Sequence, residues 1–128
     1  MKEGNSFAEN FEDLRVWQEA RVQAVEIYQR FGLGTPSERD FGFRDQIQRA
    51  AVSVMDNIRE GFEKKTPKHF ARFLDNAKGS CGEVRSMLYL GEDLSDIAAE
   101  ETNNLRVSAR GLSRGIEALA RSLRSRVD

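Results

Sequence analysis

Apolar residues recur at three- and four-residue steps in four segments of the chain, and each segment reads as an amphipathic helix. Trp17, Ala20, Ala24, Ile27 and Phe31 predict the first, over about 13–31. "GLGTPSERDFG" ends it, with Gly32 or Gly34 suited to a left-handed cap and Pro36 barring continuation. Ile47, Ala51, Val54, Ile58 and Phe62 predict the second, over about 44–64. Thr66 can cap a third with its hydroxyl, and Pro67 fits a first turn, where its missing N–H costs nothing. That helix runs over about 67–94 on Phe70, Phe73, Leu74, Ala77, Cys81, Val84 and Leu88. After the acidic stretch "EDLSDIAAEE" comes the last, over about 96–125, starting near Ser95 or Asp96. Its seam of Leu105, Ala109, Leu112, Ile116, Leu119 and Leu123 alternates steps of four and three, a period that suits left-handed bundle packing. No β-branched alternating run of convincing length is present. The expected fold is all-α, an antiparallel up-down-up-down four-helix bundle forming one domain over 1–128.

The second helix carries an uncommon polar face. Gln46, Arg49, Ser53, Asn57 and Glu60 fall within about 80° of arc opposite its apolar stripe. A solvated face accounts for such a stripe, but Ser and Asn cost helix propensity, and a packed neighbour accounts for them better. Glu83 on the third helix is placed to meet Arg49 or Asn57 if the two helices are neighbours. The same helix carries Gly79, Ser80 and Gly82 around Cys81, at roughly 1 kcal/mol lost per glycine relative to alanine. Small residues allow close backbone approach, so a crossing helix is expected there. Helices with two packed faces, in a bundle of only four, imply a partner subunit.

Three segments carry a family resemblance: "FEDLRVWQEA" (11–20), "DQIQRAAVSVMDNIREGF" (45–62) and "HFARFLDNAKGSCGEV" (69–84). Together they resemble the four-helix-bundle proteins encoded in intervening sequences of bacterial large-subunit ribosomal RNA genes, over roughly 11–123. The resemblance implies a bundle with no established catalytic activity and no cofactor, assembled as a ring-shaped homopentamer. It also implies a link to the accessory variability determinant proteins of diversity-generating retroelements, which form pentamers and bind a reverse transcriptase and RNA. Met55 and Asp56 depart from the family pattern, which commonly has a small residue or proline there. The retroelement proteins are also markedly basic, whereas this chain carries net −1.

That balanced charge predicts no partner by itself, so any nucleic-acid surface must be local. One is present. Arg106, Arg110, Arg114, Arg121 and Arg124 share an arc of about 80° on the last helix, interrupted by Glu117. Arginine suits phosphate through its planar fork, although no aromatic interleaves to stack bases. Lys64, Lys65, Lys68 and Arg72 form a smaller basic cluster. A solvated face, or pairing with acids from the next subunit, accounts for these cations more simply than nucleic-acid contact does.

Catalytic chemistry finds little to use. His69 is the only histidine, and Thr66 rather than Glu stands three residues before it, which excludes the usual di-iron bundle site. Cys81 lies on the apolar seam and reads as a buried structural thiol without a histidine base. "GLGTPS" neither follows a strand nor carries the lysine of a phosphate loop. A Glu60–Glu83 carboxylate pair beside Arg49 reads as structural ion pairing. No catalytic residue, metal or cofactor is expected. With one cysteine, no apolar run of about 20 residues and no signal-peptide pattern, the chain reads as cytoplasmic, with no membrane contact. The expected function is a non-enzymatic homopentameric scaffold or adaptor, partnered by itself and open to a protein or nucleic acid. The alternative is an RNA- or DNA-binding accessory protein that uses the arginine stripe.

Overall fold

A computed structural model describes residues 8–94 and 96–126. The fold is all-α among them, with four helices and no strand. A short 3₁₀ turn at Phe11–Asp13 leads into α1 (Arg15–Phe31), followed by α2 (Phe41–Glu63), α3 (Pro67–Asp93) and α4 (Ala99–Arg124).

Capping chemistry sets several of these ends. The Asp40 carboxylate accepts from the Phe43 N–H at 3.2 Å, so α2 starts three residues before the predicted Arg44. The Thr66 hydroxyl accepts from the His69 N–H at 3.2 Å, with Pro67 in the first turn, as the sequence leads one to expect. Replacing Thr66 by alanine should therefore lower unfolding free energy by about 1 kcal/mol in a urea titration. α1 begins two residues later than predicted, because Asp13 belongs to the 3₁₀ turn. α4 begins at Ala99 rather than near Asp96, and the alternative start at Ser95 lies outside the described residues. Of the two glycines after α1, Gly34 takes the left-handed conformation (φ +80°). Gly32 is the cap itself but is extended, and a Cβ there would sit 2.3 Å from the Tyr28 carbonyl oxygen.

The core has two clusters. One holds Leu14, Val16, Val54, Ile58, Leu74, Cys81, Ile116 and Leu123. The other holds Ile27, Phe31, Phe43, Ile47, Met87, Leu88, Ile97 and Leu105. Met55, the family departure, is half-buried and packs against both. The adjacent Asp56 is exposed and pairs with Arg59 at 3.2 Å. The predicted seam of α4 is buried throughout, whereas Trp17, Phe62 and Phe73 are half-buried at the margins of their stripes. α3 packs extensively on both α2 and α4, while α1 touches α4 more sparsely.

Candidate functional site

The polar face of α2 divides into parts. Ser53 and Ser80 share a hydroxyl–hydroxyl hydrogen bond of 2.8 Å between α2 and α3. The Asn57 amide donates to the Ser53 hydroxyl (3.0 Å) and carbonyl (2.9 Å), closing a half-buried knot. Two turns before Ser53, the Gln46 amide donates to the Glu83 carboxylate at 3.1 Å. Glu83 therefore meets Gln46 instead of Arg49 or Asn57. Arg49 instead pairs with Asp45 one turn earlier on its own helix, 80% exposed. Glu60 lies with Arg49 and Asn57 along a shallow groove of about 340 Å³ beside Tyr28 and Val52. The stripe is a two-helix contact at Ser53–Asn57–Ser80, continued by charged groups facing water.

The small residues of α3 behave differently from expectation. A Cβ added at Gly79 or Gly82 would meet nothing within 4 Å, so no helix of this chain crosses there. Of the three, Ser80 makes the inter-helix contact. Close approach occurs elsewhere: at Gly61 a Cβ would lie 2.7 Å from Phe73 Cβ and 3.2 Å from the Phe70 carbonyl oxygen. At Gly91 it would lie 3.0 Å from Phe43, and at Gly115 3.3 Å from Val16.

Three of the five arginines of α4 are paired, Arg106 and Arg124 with α3 and Arg121 within α4. Arg106 is buried, 3.0 Å from the Glu92 carboxylate, with its guanidinium carbon 4.1 Å from the centre of the Tyr89 ring. It is unavailable to phosphate, and Glu92 belongs to the acidic stretch that precedes α4. Arg124 pairs with Asp75, while Glu117 is shared by Lys78 (3.2 Å) and Arg121 (3.3 Å). Arg110 and Arg114 are exposed and make no ion pair among the described residues. The stripe therefore reduces to two uncommitted cations.

These contacts have an acid signature. The Thr102 hydroxyl, 2.6 Å away, and then Arg106 hold the Glu92 carboxyl below its ordinary value of 4.5. Lys78 does the same for Glu117. A carboxyl whose pKa is depressed by folding stabilises the fold above the unfolded value, and that stability is lost as pH falls through the folded value. The thermal midpoint should thus fall on acidification below about pH 4.5, and Glu92→Gln should show a smaller fall, measured by circular dichroism at matched ionic strength.

Cys81 is fully buried and its thiol donates to the Ala109 carbonyl at 3.2 Å. Burial pushes its pKa up, partly offset by Gln23 and Arg85, so it stays a protonated packing group at neutral pH. Sequence reasoning passed over Gln23, which continues the buried stripe three residues after Ala20 and four before Ile27. It is 7% exposed, its Oε1 has no hydrogen-bond partner, and it lines a groove of about 480 Å³ between α1 and α4. Among the described residues no group of three or more His, Cys, Asp or Glu side chains is placed to hold a metal ion. No helix among them is long and apolar enough to cross a membrane.

The model of the 23S rRNA-intervening sequence protein family matches residues 12–118, most of the chain, and the chain belongs to that family. A crystal structure from Bacteroides thetaiotaomicron, of a protein of unknown function from the S23 ribosomal protein family, superposes with a TM-score of 0.76. At 20% identity the alignment covers 83% of this chain and 95% of that one, so the two share a fold. Curated proteins yield no match. Neither description names an enzymatic activity.

Proposed function

We propose that this member of the 23S rRNA-intervening sequence protein family is a non-enzymatic scaffold or adaptor of the cytoplasm. It works as a homo-oligomer of about five chains, each an antiparallel up-down-up-down bundle. The antiparallel reading is supported by contact order. Rising positions on one helix meet falling ones on the next, as in Gln46–Glu83 then Ser53–Ser80, and Lys78–Glu117 then Glu92–Arg106.

The observation that carries oligomerisation is a second apolar face on α1. Its inner face is complete, with Val16, Ala20, Ala24, Ile27 and Phe31 buried. Yet Val22, Val25 and Tyr28 stay about half exposed on its outside, from Val22 at the α4 side to Tyr28 beside exposed Val52 of α2. Apolar groups gathered on one outer face favour a protein partner over water. The number five is supported by the family resemblance, and the cytoplasm by a lone reduced cysteine.

Sedimentation velocity at micromolar concentration tests the assembly. The expected result is one species several times heavier than the 14.5 kDa chain. A species sedimenting as the monomer overturns the reading. With Arg106 buried and Arg121 and Arg124 paired, titration of labelled RNA should give no saturable binding even at low salt, where phosphate contacts are strongest.

A further inference from the structure

The α1–α4 groove combines features that ask for a cationic side chain, and the same chain carries that side chain elsewhere. α1 and α4 come together at Gly115 against Val16. They then separate, since a Cβ on Gly111 would meet nothing within 4 Å. The gap so opened holds Gln23, Glu19 and Glu26, with Val22 at its edge. The Glu19 and Glu26 carboxylates offer acceptors alone, and Gln23 Oε1 is a buried acceptor left empty. Glu19 meets one cation, Arg15, at 3.3 Å, through a pair that is 84% exposed on the arginine side. Glu26 makes no ion pair among the described residues. A buried acceptor without a partner is costly to retain, and a donor arriving from outside removes that cost.

On the outer face of α4, Val107, Arg110 and Arg114 lie along one ridge at steps of three and four. Val107 is 53% exposed, and both arginines are exposed without an ion pair among the described residues. Each surface thus sets one exposed valine beside two like charges, and the charges of the two surfaces are opposite. We infer that the Val107–Arg110–Arg114 ridge of one copy docks on the Val22–Glu19–Glu26 groove of a second copy, placing an arginine against Gln23. This rests on the oligomer proposed above and specifies its contact. The two surfaces differ, so the contact is head-to-tail, and repetition closes a ring when the rotation permits. The valine pair supplies the desolvated centre, and the arginine–carboxylate pairs set orientation.

Charge exchange tests this contact, with light scattering for mass and circular dichroism for folding. Arg110→Glu with Arg114→Glu, and separately Glu19→Arg with Glu26→Arg, should each reduce the assembly to the 14.5 kDa monomer while helicity is kept. All four changes in one chain should restore the wild-type mass. Gln23→Leu should weaken assembly while raising the thermal midpoint of the separated chain, because it removes the empty acceptor. A wild-type protein that is itself a monomer overturns the oligomer and this contact together. An assembled wild type indifferent to both reversals overturns the contact alone. So do reversals that the fourfold exchange fails to repair. Recovery of the mass is the outcome that supports it.

Discussion

Phe31→Ala is expected to unfold the protein more readily than any surface change, costing about 3–5 kcal/mol. Phe31 is fully buried as the last residue of α1, and it meets Phe43 of α2 edge-to-face at 5.3 Å between ring centres. Gly91 of α3 lies against both rings, so this phenylalanine ties three helices together at one end of the core. Truncation leaves a cavity that the remaining Phe43 ring cannot refill, because Gly91 of α3 already holds it closely. The denaturation midpoint should fall steeply. Phe41→Ala, a change at a residue 65% exposed two positions from Phe43, should shift it by no more than about 0.5 kcal/mol.

The second large effect is a contrast among glycines. Gly61→Ala should destabilise by about 1–3 kcal/mol, because the new methyl meets the Cβ and backbone of α3, neither of which can swing aside. Gly79→Ala and Gly82→Ala should instead stabilise the chain, each by roughly 0.5–1 kcal/mol. They remove helix-interior glycine where nothing stands in the way. Thermal melts of the three variants, with mass measured alongside, check the prediction. Destabilisation by all three would mean that α3 packs on a neighbour at Gly79 and Gly82 after all.

That contrast shows what the sequence made legible. The helical seams could be read because burial follows a period: Leu105 to Leu123 on α4 are all buried as spaced. The close approaches obey the same register. Gly61 follows Ile58 by three residues, and Gly91 follows Leu88 by three, so both continue an apolar stripe. Gly79 and Gly82 fall off the stripe of Ala77, Cys81 and Val84, and a run of small residues drew attention to the wrong place. Gln23 was hidden for a related reason: it occupies a stripe position but is polar, so a search for apolar spacing steps over it. Arg106 was hidden by distance along the chain. Its position beside Arg110 suggests a stripe, but its partners Glu92 and Tyr89 lie across the α3–α4 turn, and only the tertiary fold places them there. Asp40 could have been recognised as a cap three residues before Phe43, yet the seam counted from Ile47 gave no reason to look earlier.

The central claim is that this chain works as an assembly of its own copies, and subunit mixing measures it most directly. Isotopically heavy and light protein are mixed, exchanged by brief dilution and reconcentration, and weighed by native mass spectrometry. The account predicts a ladder of mixed-isotope species between the all-light and all-heavy assemblies, at about five times the 14.5 kDa chain mass. Two unmixed peaks at the mass of single chains would contradict it.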